Sequence, residues 1–162
     1  MFDVVGVFDP HTEKCMALES EFGVRVYDSS AALMSAVEAV DVVTPTLMHH
    51  ALAKGALEQR KHVFIEKPIT NTLQEAHELI ALADANGLKA QVGHVERFNP
   101  SFQAARPFLT EPMFIESHRL AQFNPRGTDV SVVLDLMIHD IDLVLSVVDA
   151  PISNIVASGV AV

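Results

Sequence analysis

Short apolar strand patterns alternate with helical patterns through the first two thirds of this sequence. The strand patterns cover residues 4–9, 24–27, 40–43, 63–65 and 88–92. They recur at intervals of about 20 residues, which leaves room for one helix between successive strands. Parallel strands need long crossover connections of this kind, so the spacing predicts an α/β fold built on a parallel sheet.

The helices between these strands carry start and stop signals. Asp9 before Pro10, Asp28 or Ser29, and Thr70 are each placed where a side chain can cap a helix amino terminus. Gly23 and Gly87 are suited to end the first helix and the long helix after Thr70.

The regular alternation weakens after about residue 110. Residues 113–123 are predicted to form a strand of mixed polarity, 124–129 a loop, 130–148 a long helix and 152–162 a final strand. We therefore predict a dinucleotide-binding domain over residues 1–110, and the beginning of an α+β substrate or oligomerisation domain over residues 111–162.

The composition excludes several classes of partner. The chain has 162 residues, 49% of them hydrophobic, and a net charge of -10. Such a charge argues against nucleic acid and against an anionic membrane surface. No apolar run approaches the roughly 20 residues that span a bilayer, and no signal segment opens the chain. The single cysteine, Cys15, allows no internal disulfide and fits a reducing, cytoplasmic setting.

The stretch from His62 to Pro68 is the strongest functional signal. Its apolar centre predicts a buried strand, and Glu66 and Lys67 must follow that strand because unpaired charge is costly to bury. Pro68 ends the strand, since it cannot donate to a sheet. Ligands of open α/β sheets bind beyond the carboxyl ends of strands, so Lys67 is a candidate site residue; an ordinary solvated loop is the alternative.

Polar residues follow two other strands. An acid such as Asp9 can accept hydrogen bonds from an adenosine ribose, and it would repel a 2′-phosphate, which favours NAD over NADP. Thr44, Pro45 and Thr46 could line a cofactor path, or form a plain turn. His49 and His50 are poor joint metal ligands, because adjacent residues on a helix point in different directions.

An acid and a histidine lie four residues apart in the last helical pattern. Asp135 and His139 would share a helix face, and Asp142 can share that side. A carboxylate beside a histidine can orient the ring, as in a general base with its orienting group. Two alternatives are a solvated helix face and a metal-dependent hydrolase site built on His139 and Asp142.

Arg97 and Asn99 follow the strand at 88–92 and should also lie at a carboxyl edge. An arginine there can neutralise a carboxylate or phosphate of a ligand. A surface salt bridge is an equally good interpretation.

Together these residues resemble the Gfo/Idh/MocA family of nicotinamide-dependent oxidoreductases. The motifs that carry the resemblance are Val7 to Asp9, Thr44 to Thr46 with His49, Glu66 to Pro68, Gly93 to Pro100, and Asp135 with His139. The stretch from Gly93 to Pro100 looks most like the branch that acts on UDP-N-acetylglucosamine-type sugars at the 3-hydroxyl.

The resemblance implies a Rossmann-type fold and a dehydrogenase that oxidises a secondary hydroxyl of a sugar or nucleotide sugar. It implies that His139 takes the hydroxyl proton, that Lys67 binds the developing oxyanion or shares in proton transfer, and that Asp135 positions sugar or histidine. It implies a cis peptide bond before Pro68, which X-Pro bonds tolerate. The implied cofactor contacts are Asp9, Thr44, Pro45, Thr46, His49, Glu66, Lys67 and Arg97, and the implied substrate contacts are Lys67, Asn99, Asp135 and His139.

The sequence departs from this family at the phosphate-binding turn. Nothing matches the family's first strand and its Gly-x-Gly-x-x-Gly/Ala turn, and Gly6 stands alone. The chain therefore resembles a piece of a longer enzyme that would oligomerise when complete, and we expect it to bind NAD weakly or not at all. The main alternative is a non-catalytic binding or assembly module of the same fold.

Overall fold

The computed structural model describes residues 3–120 and 130–160. By their contacts, these residues form two compact units. The sheet unit comprises residues 3–93 and 130–135, and the helix unit comprises 94–120 and 136–160. Contact-based units are not independently folding domains, so the predicted division near residue 110 stays a prediction.

The sheet unit contains a parallel three-stranded sheet in the order β1-β2-β3. In chain order its elements are α1 (Thr12–Phe22), α2 (Ser30–Ala36), β1 (Ala39–Val42), α3 (Thr46–Glu58), β2 (His62–Glu66), α4 (Leu73–Asn86) and β3 (Ala90–Gly93). Val42 lies opposite Ile65, and Ile65 opposite Val92. The α/β class with a parallel, Rossmann-type sheet is thus confirmed.

The two earliest predicted strands do not form as strands. Over 4–9 and 24–27 the structure has an isolated parallel bridge between Val7 and Val26. Val7 N donates to Arg25 O at 2.8 Å, and Tyr27 N donates to Val7 O at 2.9 Å. A short two-stranded pair buries too little to extend itself, so propensity alone does not make a ladder there.

Burial distinguishes the two faces of the sheet. Ile65 of β2, Leu57 of α3 and Leu79 of α4 are at most 1% exposed and belong to one apolar cluster. On the opposite face Asp41 and Gln91 are exposed at the register positions that flank Phe64. The helices α3 and α4 thus supply a core on one face of the sheet.

Some predicted caps are confirmed and others are wrong. Ser29 Oγ caps α2 by accepting from Ala32 N, and Gly87 ends α4 with φ 63°. Thr70 is not the cap of α4; Thr72 is, in a reciprocal capping box with Glu75. Asp9 is not the cap of α1 either, because His11 holds that position. Two threonines in one turn offer equivalent caps, and the packing of the preceding turn decides between them.

The helix unit has little regular structure. A 3₁₀ turn (Val95–Phe98) precedes α5 (Pro100–Ala105), and a second 3₁₀ turn (Arg106–Phe108) follows it. The predicted helix at 130–148 is confirmed in part: a π-helical turn (Val133–Met137), whose first three residues belong to the sheet unit, precedes α6 (Ile138–Val147). No helix among the described residues is long and apolar enough to cross a bilayer.

The strands predicted at 113–123 and 152–162 are wrong over the parts that the structure describes. Residues 113–120 and 152–160 have no strand structure, and Met113 and Val160 are 98% and 90% exposed. Strand propensity reflects fit to a half-buried pleated surface, and these residues have no such surface here. Residues 121–123, the predicted loop at 124–129 and the last two residues lie outside the described residues.

Candidate functional site

The turn after β2 carries the first group of predicted site residues. The Lys67-Pro68 peptide bond is cis, which confirms the expectation taken from the family resemblance. Glu66 is the last residue of β2 and lies opposite Gly93 of β3. A Cβ atom on Gly93 would lie 3.0 Å from Phe64 Cε1 and 3.1 Å from both Glu66 carboxylate oxygens. Glycine at position 93 therefore leaves room for the Glu66 carboxylate at the sheet edge.

Two of the three predicted catalytic residues are in contact. Lys67 Nζ donates to the Asp135 main-chain oxygen at 2.6 Å and lies 3.3 Å from Asp135 Oδ1. The Lys67 and Asp135 side chains are 19% and 33% exposed, so the pair remains accessible to a small molecule. Asp135 lies in the π-helical turn, and such turns are frequent at functional sites.

His49 is buried beside the turns that follow β1 and β2, and its implied contact with a cofactor stays a prediction. Its ring is 1% exposed, in the first turn of α3. Nδ1 lies 2.8 Å from Pro68 O and Nε2 lies 2.8 Å from Thr44 O. Both ring nitrogens thus lie at hydrogen-bond distance from main-chain oxygens.

The residues after β1 form a short turn into α3. Pro45 holds the position before the first helical residue, Thr46. Thr44 Oγ1 is buried and has no hydrogen-bond partner among the described residues. A buried hydroxyl without a partner is costly, so this atom is a ready contact for a polar ligand group.

Asp9 lies before α1 with its carboxylate partly exposed. Oδ1 accepts from His11 N at 2.7 Å, and Oδ2 is 3.9 Å from Lys14 Nζ. The main chain of Asp9 also contacts the buried Sγ of Cys15. The carboxylate therefore organises the start of α1, and its predicted contact with a ribose stays a prediction.

Within the helix unit, Arg97 makes a bidentate ion pair with Asp142 of α6. Arg97 Nε and Nη2 lie 2.7 and 2.6 Å from the two Asp142 oxygens, and His94 Nδ1 is 3.7 Å from Oδ1. The hydrogen bonds from Arg97 hold the pKa of Asp142 below its usual value, against the effect of burial. Asp142 and Arg97 are thus engaged with each other, and the predicted contact of Arg97 with a cofactor stays a prediction.

A second ion pair involves Asp140, also on α6. Arg119 Nε and Nη2 lie 2.6 and 3.0 Å from the two oxygens of Asp140, and this pairing lowers the Asp140 pKa. His139, partly buried on α6, makes a smaller electrostatic contribution to the lowered pKa of both Asp140 and Asp142. On α6, the predicted general base His139 is therefore followed by two carboxylates that are held in ion pairs, Asp140 and Asp142.

Asn99 caps α5. Its Oδ1 accepts from Ser101 N at 3.0 Å, and its Nδ2 donates to Glu96 Oε2 at 3.1 Å. The predicted contact of Asn99 with substrate stays a prediction. No group of three or more His, Cys, Asp or Glu residues within 3–120 and 130–160 could hold a metal ion.

Sequence reasoning missed three features of these sites. It did not find the two-ended contact of His49, the capping role of Asn99, or the pairing of Arg119 with Asp140. The Asn99-Pro100 dipeptide was an available signal for the cap, since proline is favoured at the first helical position. The contacts of His49 with Pro68 and of Arg119 with Asp140 join residues 19 and 21 positions apart, so no local spacing reveals them.

Comparison with known proteins gives consistent matches. The model of the oxidoreductase family GFO_IDH_MocA, described as an NAD-binding Rossmann fold, matches residues 1–94. A UDP-N-acetylglucosamine 3-dehydrogenase from Acidithiobacillus ferrooxidans is 40% identical over 159 residues, which is 98% of this chain and 51% of that protein.

Solved structures agree with the sequence matches. A structure of the Acidithiobacillus ferrooxidans enzyme has a TM-score of 0.88, covering 98% of this chain and 52% of that one. An NAD-binding protein from Listeria innocua, 28% identical, has a TM-score of 0.78 over 91% of this chain and 48% of its own. The chain thus spans about half the length of the relatives it matches, and the family model covers more than half of the chain. By these matches, and by the residues gathered at its strand ends, the chain belongs to the Gfo/Idh/MocA oxidoreductase family with an NAD-binding Rossmann fold.

Proposed function

We propose that this chain provides the catalytic core of an NAD-dependent dehydrogenase that oxidises a secondary hydroxyl of a sugar or nucleotide sugar. The observation that carries the proposal is the contact between Lys67 and Asp135 beyond the end of β2. The carboxyl end of a parallel strand is where ligands bind in this class of sheet. The 40% identical relative, named as a UDP-N-acetylglucosamine 3-dehydrogenase, supports a UDP-N-acetylglucosamine-type substrate oxidised at the 3-hydroxyl.

Lys67 stabilises the oxygen of the reacting carbon in this proposal. Its ammonium group carries three donors, and the Asp135 main-chain oxygen and carboxylate direct it without consuming all of them. Negative charge on the substrate oxygen grows as its proton leaves, so a fixed ammonium group favours the transition state over the ground state.

His139 accepts the hydroxyl proton. Histidine is suited to this step because the ring gains and loses a proton near neutral pH. Asp135 has two functions in the proposal: it orients Lys67, and it offers its second carboxylate oxygen to a sugar hydroxyl. Asn99 is proposed as a further substrate contact.

The residues at the strand ends would form part of an NAD site, without the Gly-rich phosphate-binding turn, and NAD supplies the hydride acceptor when bound. The unpartnered Thr44 Oγ1 can bind one of its polar groups, and Pro45, Thr46 and Glu66 lie along the same sheet edge. Asp9 favours NAD over NADP, because a carboxylate binds ribose hydroxyls and repels a 2′-phosphate. We further propose that the complete protein is a cytoplasmic homo-oligomer without nucleic-acid or membrane partners.

Steady-state kinetics test the proposal. Because this chain is expected to bind NAD weakly or not at all, the test uses the complete protein, which is incubated with NAD and UDP-N-acetylglucosamine or inositol while NADH formation is followed by absorbance. Lys67→Met should lower kcat/KM by about 10²-fold or more, the range for removing one donor to a developing oxyanion. Lys89→Met, at an exposed lysine next to β3, is the matched control and should leave the rate unchanged.

Two results would contradict the proposal. Absence of NAD reduction with every sugar and nucleotide sugar would favour a non-catalytic module of the same fold. Equal rates for Lys67→Met and the unaltered protein would remove Lys67 from the reaction.

A further inference from the structure

His49 and His50 are neighbours in sequence and have opposite environments. His50 lies at the surface, where Nε2 contacts Glu78 Oε2 at 2.7 Å. His49 is 1% exposed, and its two nitrogens each lie 2.8 Å from a main-chain oxygen. The buried ring therefore makes specific polar contacts, while its neighbour belongs to a solvated surface pair.

The two oxygens belong to the turns that follow adjacent strands. Thr44 comes two residues after the end of β1, and Pro68 comes two residues after the end of β2. The register Val42–Ile65 fixes the strands themselves, but no ladder hydrogen bond reaches residues 44 and 68. The His49 ring thus joins two turns that the sheet leaves unconnected.

A carbonyl oxygen accepts hydrogen bonds and cannot donate them. A neutral imidazole carries one N–H, so a hydrogen bond to Pro68 O requires the proton on Nδ1, and only a ring with a proton on each nitrogen donates to both oxygens. An apolar side chain of similar size could fill the same space, but it would leave both carbonyl oxygens without this partner.

We infer that His49 is a positioning residue for Lys67. Pro68 directly follows Lys67, so holding the Pro68 carbonyl limits where the Lys67 main chain can lie. The 2.6 Å contact between Lys67 Nζ and the Asp135 main-chain oxygen depends on that placement. The catalytic meaning of the inference rests on the proposed function of Lys67, whereas the connection from His49 to Lys67 rests on contacts alone.

Two conservative variants test the contacts of His49 with Pro68 O and with Thr44 O one at a time. The amide nitrogen of asparagine corresponds to histidine Nδ1, and that of glutamine corresponds to Nε2. His49→Asn can therefore keep the bond to Pro68 O, and His49→Gln can keep the bond to Thr44 O. His50→Gln is the matched control, since it changes the adjacent histidine outside these contacts.

The readout is the nuclear Overhauser effect between the Lys67 side chain and Asp135 in isotope-labelled protein. We expect this signal to be lost in His49→Gln and retained in His49→Asn and His50→Gln. In the kinetic assay, His49→Gln should lower kcat with little change in KM, and His49→Asn should restore most of the loss. A change in packing alone would not distinguish the asparagine and glutamine variants in this order.

A folded His49→Gln protein that retains the signal would overturn the inference, as would equal signals in the two His49 variants. If these variants fail to fold, the ¹⁵N spectrum of unaltered His49 decides: Nδ1 bonded to hydrogen supports the inference, and Nδ1 without hydrogen overturns it. The Overhauser and ¹⁵N measurements require no turnover, so failure of the proposed function remains distinguishable from failure of this inference.

Discussion

The sheet unit and the helix unit differ in the side chains that they bury. In the sheet unit the buried residues are mostly apolar, with His49 and Thr70 as polar exceptions, and Leu57, Ile65 and Leu79 belong to its core. In the described part of the helix unit, the single buried residue is the carboxylate of Asp142. Many of its large apolar side chains are exposed, including Met113 at 98% and Val156 at 88%, and those of α6 such as Leu143 and Val144 are only partly buried.

This difference indicates that the two units depend on different forces. Apolar burial stabilises by about 25 cal/mol for each Å² removed from water, and its strength does not depend on ionisation. Ion pairs such as Arg97–Asp142 contribute when the carboxylate is charged, and salt screens the more exposed pairs. Acid should therefore loosen the helix unit while leaving the sheet core intact.

The largest effect is expected in the sheet unit. Leu79→Ala removes a side chain that is 1% exposed, so the unfolding free energy should fall by about 2–5 kcal/mol, the range for buried leucines. Ile80→Ala, at the adjacent residue of α4, is 50% exposed and should cost much less. Amide hydrogen exchange of α4 and β2 measures both changes, and equal costs would contradict the apolar core.

An intermediate effect is expected from Asp142→Asn. Arg97 holds the folded-state pKa of Asp142 below its ordinary value, so the stabilisation is present above about pH 4 and is lost as pH falls further. The Arg97 side chain is 48% exposed, which limits the loss to about 1 kcal/mol.

Amide exchange of α6 against pH checks the Asp142 prediction. The unaltered protein should lose α6 protection below about pH 4, and Asp142→Asn should lack that part of the protection already at neutral pH. Loss of α4 protection over the same range would contradict the contrast between the units.

The smallest effect is expected on the open face of the sheet. Burial, and next the charge of Glu66, raise the pKa of Asp41, so its ionised form opposes folding. Asp41→Asn should therefore raise stability by a few tenths of a kcal/mol at neutral pH. The gain should vanish below about pH 4, because Asp41 is then protonated in the folded and in the unfolded protein. Asp28→Asn, at an exposed acid before α2, should give no gain in denaturant titrations.

Local sequence signals predicted the strands and helices of the sheet unit from β1 to β3, where apolar runs coincide with buried segments. The strands β1, β2 and β3 and the helices α3 and α4 follow from apolar runs separated by capping residues and glycines. The position of Lys67 beyond β2 also followed, because a charge cannot lie inside a buried strand. The family resemblance supplied the cis bond before Pro68, which composition and spacing alone would not have given.

Predicted strands are absent where a strand would need a distant partner. Residues 113–120 and 152–160 have strand-like composition but no neighbouring ladder among the described residues. The π-helical turn around Asp135 was missed as well, because helix period and helix propensity do not distinguish a π-helical turn from an α-helix.

The sequence by itself determined the order from β1 through α3, β2 and α4 to β3, the charge balance and the residue types placed at the ends of these strands. These depend on interactions among residues close in the chain, and on the cost of burying charge. Only the tertiary structure decided which side chains meet: Lys67 with Asp135, His49 with Pro68, and Arg97 with Asp142. Those contacts join residues 68, 19 and 45 positions apart. At such separations packing of the whole unit fixes the geometry, and no local pattern of residues encodes it.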